Sequence, residues 1–272
     1  MRFRVIDIET VPDLSVWRPS EPKYALSKMP GDFGKLLPHP HLEPSVVPIE
    51  EFPPPQAHRV VAIARVDIDW SVTSRFYQIT SMESLCGWSH ESPGAADLCE
   101  RTMLRNFVDH QDCDKATLVS WNGRGFDLPV ISMRCLKHGI PCGWYYDSRD
   151  IRYRYTPDGH LDLMDYLGDY GAARNMKLGD MARLIGLPGK VDITGASVAD
   201  IHREGDVAEN VEKVRRYCLQ DTFQTAVIFV RSRLHLGKLT TAEYNQHIDL
   251  YSKMDLEQVG IEIDWNRLKV AF

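Results

Sequence analysis

Five side chains in this sequence are of types, and at spacings, that could do chemistry together. Asp7 and Glu9, in Asp7-Ile8-Glu9-Thr10, stand at i and i+2. On a strand they project from one face while Ile6 and Ile8 take the other, so two like charges sit side by side. A solvated strand face gives the same alternation. Asp127 follows the turn-forming run Asn122-Gly123-Arg124-Gly125-Phe126 and precedes Leu128-Pro129. It is placed to cap a helix whose first turn tolerates Pro129. A cap alone does not account for a glycine turn that lets backbone approach a ligand, or for the aromatic before the acid. Phe126 could equally plug the core. Tyr217 and Asp221 lie four residues apart and share a helix face, where a surface pair or a partly buried hydrogen bond is the ordinary reading. Acids gathered in one cleft raise one another's pKa values, a conflict that divalent metal resolves.

The elements that must position these groups follow from periodicity. Residues 3–9, 59–67 and 75–80 read as strands by their β-branched content, suggesting a meander. Apolar positions from 95 to 108 follow helical spacing, and residues 116–121 read as a short buried strand, giving the order βββαβ. An amphipathic helix over about 128–138 is closed by Gly139 and Pro141. Residues 160–166 form a short strand or a helix start. Helices are expected over 178–185, ended by Gly186 and Pro188, over 197–203, and over about 207–236, stopping at Gly237. One more helix, about 241–254, lies in the tail 238–272. Eleven of the 16 prolines fall between Pro12 and Pro55, a density that excludes interior helix or central strand. Residues 12–57 therefore read as an insertion over one face or edge of the sheet.

Composition narrows the function classes. The chain has 272 residues, 43% hydrophobic and 26% charged, which is ordinary for a globular protein and argues against a disordered, collagenous or coiled-coil chain. Apolar runs such as residues 226–230 fall far short of the roughly 18 residues a membrane span requires. With no export signal visible, a cytoplasmic protein without membrane association is expected. The six cysteines form no C-x-x-C pair, so no zinc ribbon or dithiol centre is signalled. A net charge of −6 counts against a nucleic-acid binder, an objection that weakens if the acids surround metal ions.

Taken together, D-x-E on a first strand, N-x-x-x-F-D before a helix and Y-x-x-x-D on a late helix occur in one fixed order. This resembles the three motifs of the DEDDy branch of 3′–5′ exonucleases. It is also similar to a stand-alone family related to the proofreading exonuclease domain of family B DNA polymerases, through DIETVPD, NGRGFDLPVI, HLDLMDYL, GLPGK and YCLQDT. The sister branch carries a His five residues before the last Asp; that position here is Arg216, and Tyr217 stands four before. The resemblance covers about residues 3–237. It implies an α/β, ribonuclease H-like mixed sheet, an antiparallel meander plus parallel strands flanked by helices, with an exonuclease domain over 1–237 and a helical tail over 238–272.

The resemblance further implies two divalent ions, Mg²⁺ or Mn²⁺, held by Asp7, Glu9, Asp127 and Asp221. Asp7 would bridge both, Glu9 and Asp221 hold the first, Asp127 act mainly through water on the second, and Tyr217 orient the attacking water. Thr10 and Val11 would lie beside the terminal nucleotide, with Asn122 and Phe126 bordering the cleft. The implied partner is a single-stranded nucleic-acid 3′ end, and the implied activity a metal-dependent exonuclease on DNA in repair or proofreading. The same chemistry on RNA is the alternative, since recognition of a 2′-OH depends on pocket contacts. A catalytically silent binding module is a third reading, against which the intact acids and Tyr217 speak. Arg124, Arg149, Arg152, Arg154, Lys177 and Lys190 offer a local basic surplus that could track a backbone. Gly186-Leu187-Pro188-Gly189-Lys190 is a helix stop and lacks the Walker A spacing. His160, Asp162 and Asp165 could be auxiliary ligands or structural.

Overall fold

The computed structural model describes residues 1–17, 23–26, 46–49, 52–173, 176–189, 195–203 and 206–271. Its centre is a five-stranded sheet built from β1 (Arg2–Pro12), β4 (His58–Ser71), β5 (Phe76–Cys86), β6 (Thr117–Ser120) and β7 (His160–Asp162), in the order β5-β4-β1-β6-β7. β1 pairs antiparallel with β4 and β4 with β5, which is the expected meander; β1–β6 and β6–β7 are parallel. Within the proline-rich insertion, β2 (Lys23–Leu26) and β3 (Val46–Ile49) pair as a separate two-stranded sheet. The reading of the insertion as a cover over one face or edge lies mostly outside the described residues.

The helices are α1 (Pro93–Asp114), α2 (Asp127–His138), α3 (Gly143–Tyr146), α4 (Arg149–Arg152), α5 (Leu163–Leu167), α6 (Leu178–Ile185), α7 (Gly195–Arg203), α8 (Val207–His235), α9 (Thr241–Tyr251) and α10 (Trp265–Leu268). Residues 160–166 are both things expected of them, a three-residue strand running into α5. No helix among the described residues is long and apolar enough to cross a membrane.

The sheet is covered on both faces, so the alternation along β1 sorts residues between two cores and not between core and solvent. Ile6 and Ile8 pack with Leu104 and Phe107 of α1 and Leu128 and Ile131 of α2. Phe3, Val5 and Val11 join the larger core of α8 and the tail, with the Phe3 and Phe229 rings 4.9 Å apart. Asp7 and Glu9 occupy that second register, so the covering helix α8 determines what stands opposite them.

Two features tie the periphery to this sheet. β5 is an edge strand, and its exposed backbone at Tyr77 is taken up by the tail: the Tyr77 amide donates to His247 Nε2 at 2.9 Å, and the Tyr251 hydroxyl donates to the Tyr77 carbonyl. Covering an edge in this way removes a template for strand addition. Beyond β1, Arg134 of α2 lies in a buried network, donating to Glu100 of α1 at 2.7 and 2.6 Å, to Asp13 at 2.8 Å and to the Gln56 carbonyl at 3.1 Å.

Candidate active site

β1 and α8 build the first part of the site. Tyr217 and Asp221, one turn apart on α8, are each 3% exposed, and Glu9 is 7% exposed. Neither a solvated strand face nor a surface helix pair describes them. Ligand oxygens of Asp7, Glu9 and Asp221 lie within 4.8 Å of one another. The chain is pinned here by Cys218, whose Sγ sits 3.5 Å from the Asp7 carbonyl oxygen and 3.9 Å from Oδ2. Just past Glu9 the register of β1 against β4 slips by one residue, an irregularity of the kind that re-aims side chains beside functional sites.

The electrostatics show what this donor set wants. Burial and the charges of Asp221, Glu9 and Asp7 push the Tyr217 phenol far above its ordinary value. Burial, with Asp7 and Glu9, does the same to the Cys218 thiol. Three hard oxygen donors converge where the potential is strongly negative, which fits a divalent cation of the Mg²⁺ or Mn²⁺ type.

α2 and the turn before it supply Asp127. Phe126, not Asp127, occupies the cap position of α2, and it makes no side-chain capping bond. The carboxylate of Asp127, the first helical residue, instead accepts from the Ile8 amide at 3.1 Å, between the two acids of β1. It stands outside the trio defined by the 4.8 Å separation. Complete burial, with the charge of Asp162 adding to it, pushes Asp127 up to about 7 despite its amide hydrogen bonds.

The turn is held from behind by groups that motif spacing left unresolved. Asp162 accepts from the amides of Asn122 (3.0 Å), Arg124 (2.9 Å), Met164 (3.1 Å) and Asp165 (3.3 Å), a structural use that fills its lone pairs. Asn122 is left-handed, at φ 65°, which asparagine tolerates. Gly123 passes so close to β6 that a Cβ there would meet Ser120 Oγ at 2.3 Å. Its amide donates to the same Oγ at 3.1 Å, and His160 Nε2 lies 2.7 Å from it. Burial lowers His160 to about 3, so the imidazole is neutral. Asp165 is taken by Arg154.

Of the residues expected beside a nucleotide, Thr10 and Phe126 meet at one cluster. His58 Nε2 donates to the Pro53 carbonyl at 2.8 Å, leaving Nδ1 to accept from the Thr10 hydroxyl at 2.9 Å. Phe126 stands edge-on to His58 at 4.9 Å, and Phe52, 73% exposed, lies 4.8 Å from the same ring. Phe52 and His58 were hidden in the sequence by the prolines between them. Asn122 folds over Gly125, whose missing Cβ leaves room for the amide. Val11 departs from the expectation: its side chain is buried in the core facing α8 and offers little surface to a nucleotide.

The basic surplus is also smaller than its count. Arg124 is turned inward, donating to the carbonyls of Ile151 (3.0 Å), Arg152 (3.1 Å) and His160 (3.1 Å); it braces the turn and is not free for phosphate. Lys190 lies outside the described residues. A second acidic group, Asp97, Glu100 and His138, is close enough to hold a metal. Cations already fill it, Arg134 on Glu100 at 2.6 Å and Lys137 and Arg59 on Asp97 at 2.7 and 2.9 Å.

An antiparallel meander continued by parallel strands and flanked by helices, with an acid pair on the central strand, is the ribonuclease H-like arrangement. The chain belongs to the family of predicted 3′–5′ exonucleases related to the exonuclease domain of PolB, whose pattern matches residues 50–262. That stretch contains Asp127, Tyr217 and Asp221; Asp7 and Glu9 precede it. Among solved structures, the family B DNA polymerase from Pyrobaculum calidifontis is similar at 14% identity and a TM-score of 0.45, over 96% of this chain and 29% of that one. E. coli Exonuclease I in complex with a dT13 oligonucleotide is similar at 14% identity and a TM-score of 0.36, over 93% of this chain and 46% of that one. No curated protein matches the chain.

Proposed function

We propose that the protein is a metal-dependent 3′–5′ exonuclease that removes nucleotides from single-stranded DNA ends. The observation that carries this reading is the convergence of Asp7, Glu9 and Asp221 oxygens within 4.8 Å, beside Tyr217, in a chain of this exonuclease family. Asp7, Glu9 and Asp221 would hold the metal, with Asp127 nearby on the Ile8 amide. A pair of divalent ions, when bound, supplies charge neutralisation for the attacking and leaving oxygens of an in-line displacement.

The chain's own residues do the rest. Tyr217 keeps its proton, because burial and the surrounding acids disfavour the phenolate; it orients the attacking water and does not deprotonate it. Asp127, pushed up to about 7, is a carboxyl that can hold or release a proton near neutrality. Thr10, Asn122 and Phe126 border the terminal sugar and base, and the exposed Phe52 ring extends that border. Water adds to the terminal phosphorus, the bond to the preceding O3′ breaks, and a 5′-mononucleotide leaves.

The test is incubation of 5′-labelled single-stranded DNA and RNA with the full chain and Mg²⁺ or Mn²⁺, with an EDTA control. A ladder of DNA products shortening from the 3′ end, absent in EDTA, is expected. Metal-independent cleavage or internal cuts would overturn the mechanism, and a ladder on RNA alone would reassign the substrate.

A further inference from the structure

Six of the eleven tyrosines fall between residues 145 and 170, and the site described above uses none of them. Tyr146, Tyr153 and Tyr155 are 49%, 48% and 60% exposed, unusual for rings of this size. They are ordered by contacts with each other and with arginines. Arg152 lies over Tyr146 at 5.1 Å, Arg149 over Tyr153 at 5.6 Å, and the Tyr153–Tyr155 and Tyr155–Tyr170 ring separations are 5.9 and 5.0 Å. Tyr170 and the residue before it are both left-handed, at φ 54° and 49°, a conformation that non-glycine residues rarely adopt in succession. Among the described residues neither Arg149 nor Arg152 forms a salt bridge. The neighbouring carboxylates Asp147 and Asp150 line a separate cleft of about 540 Å³ beside Trp144, a cleft that neither arginine lines.

This strip is fastened to the turn that carries Asn122 and leads to Asp127. Arg124, inside that turn, holds the Ile151 and Arg152 carbonyls of α4. Ser132, on the helix that Asp127 begins, holds the Tyr146 hydroxyl at 2.7 Å. Aromatic faces interleaved with uncompensated arginines are the composition that binds single-stranded nucleic acid without regard to sequence: rings stack on any base and guanidinium groups meet phosphate.

We infer that the Tyr146–Arg152 and Arg149–Tyr153–Tyr155–Tyr170 strip is a second binding platform, which takes the single strand behind the terminal nucleotide. This rests on the proposed exonuclease reading for its occupant, and the test separates the two. Affinity for fluorescein-labelled thymidine oligonucleotide is measured by anisotropy in EDTA, where nothing is cut, for the full chain and for Tyr153→Ala/Tyr155→Ala, Tyr153→Phe/Tyr155→Phe and Arg149→Ala/Arg152→Ala variants. The alanine pair is expected to bind about tenfold or more weakly, the scale of losing one or two stacked bases, with the phenylalanine pair near wild type. An abasic oligonucleotide should lose affinity with the arginine pair but not with the tyrosine pair. In parallel, hydrolysis of p-nitrophenyl thymidine 5′-phosphate with Mn²⁺ reads the acid site alone and should be unchanged in all three variants. Alanine and arginine variants that bind within twofold of wild type would overturn the platform. Failure of the wild type to hydrolyse any substrate would count against the exonuclease reading and leave the EDTA binding result to judge the platform.

Discussion

Asp127 is where a single residue's environment has the clearest measurable consequence. Its carboxyl has an ordinary value of 3.8 and in the folded chain holds its proton until about 7. A carboxyl so raised favours folding below its unfolded pKa, and that contribution is lost as pH rises through about 7. The isosteric Asp127→Asn change keeps an acceptor for the Ile8 amide and removes the buried charge. Metal-free Asp127→Asn protein should therefore melt higher than wild type at pH 8, by no more than about 4 kcal/mol of stability, with the difference shrinking as pH falls from 7 toward 4 in thermal scans. Activity divides the residues differently. On the proposed mechanism, Tyr217→Phe removes the hydroxyl that orients water and should slow DNA shortening about 10²–10⁴-fold. Asp7→Ala should leave almost no turnover in the same assay, and undiminished turnover by that variant would refute the site. Spacing placed Asp7 with Glu9 and Tyr217 with Asp221, because i+2 on a strand and i+4 on a helix are local geometry; the resemblance of the motif order joined Asp127 to them and implied their roles. Spacing could not disclose that Asp127 bonds to an amide 119 positions away, and so suggested a cap.

At the scale of the element, the Asn122–Asp127 turn depends on an absent methyl. A Cβ on Gly123 would lie 2.3 Å from Ser120 Oγ and 2.6 Å from its Cβ, both on the buried strand β6, where nothing can yield cheaply. Gly123→Ala should cost about 1–3 kcal/mol, read as a lower urea midpoint at unchanged m-value. It should also reduce activity, because the displaced turn carries Asn122 and Asp127. The longer helices were legible from their punctuation: α6 spans Leu178–Ile185 and ends at Gly186 as expected, and Gly139 ends α2 in a left-handed cap, whereas the four-residue α3, α4 and α10 gave no such signal. The strands were legible in their middles and not at their ends. β4 and β5 run on to Ser71 and Cys86 because they pair with each other in a long antiparallel ladder, a stabilisation that no local window contains. α1 likewise extends to Asp114, where side chains bonded to Arg4 and Arg2 hold its last turn to β1.

Across the whole molecule, buried charge does the joining. Arg134 lies among Glu100, Asp13 and the Gln56 carbonyl, linking α1, α2 and the segment just past β1. Removing the cation leaves Glu100 and Asp13 buried without their main partner, so Arg134→Ala should destabilise by about 3–5 kcal/mol, measured by urea denaturation at pH 7. None of this was visible in the sequence, where Asp13, Glu100 and Arg134 are ordinary charges in three unrelated segments. The tail, too, gave only a helix to the eye, yet Tyr244, Ile248 and Tyr251 share the core of β5 and α8.

Asp7 and the Cys218 thiol lying against it are separated by 211 positions of chain. The third carboxylate, Asp221, reaches the first two when α8 docks across β1. A chain still on the ribosome with its first two acids already made, or one clipped ahead of α8, lacks the third carboxylate of the cluster. On the proposed exonuclease reading, synthesis itself withholds activity until α8 has been made and docked.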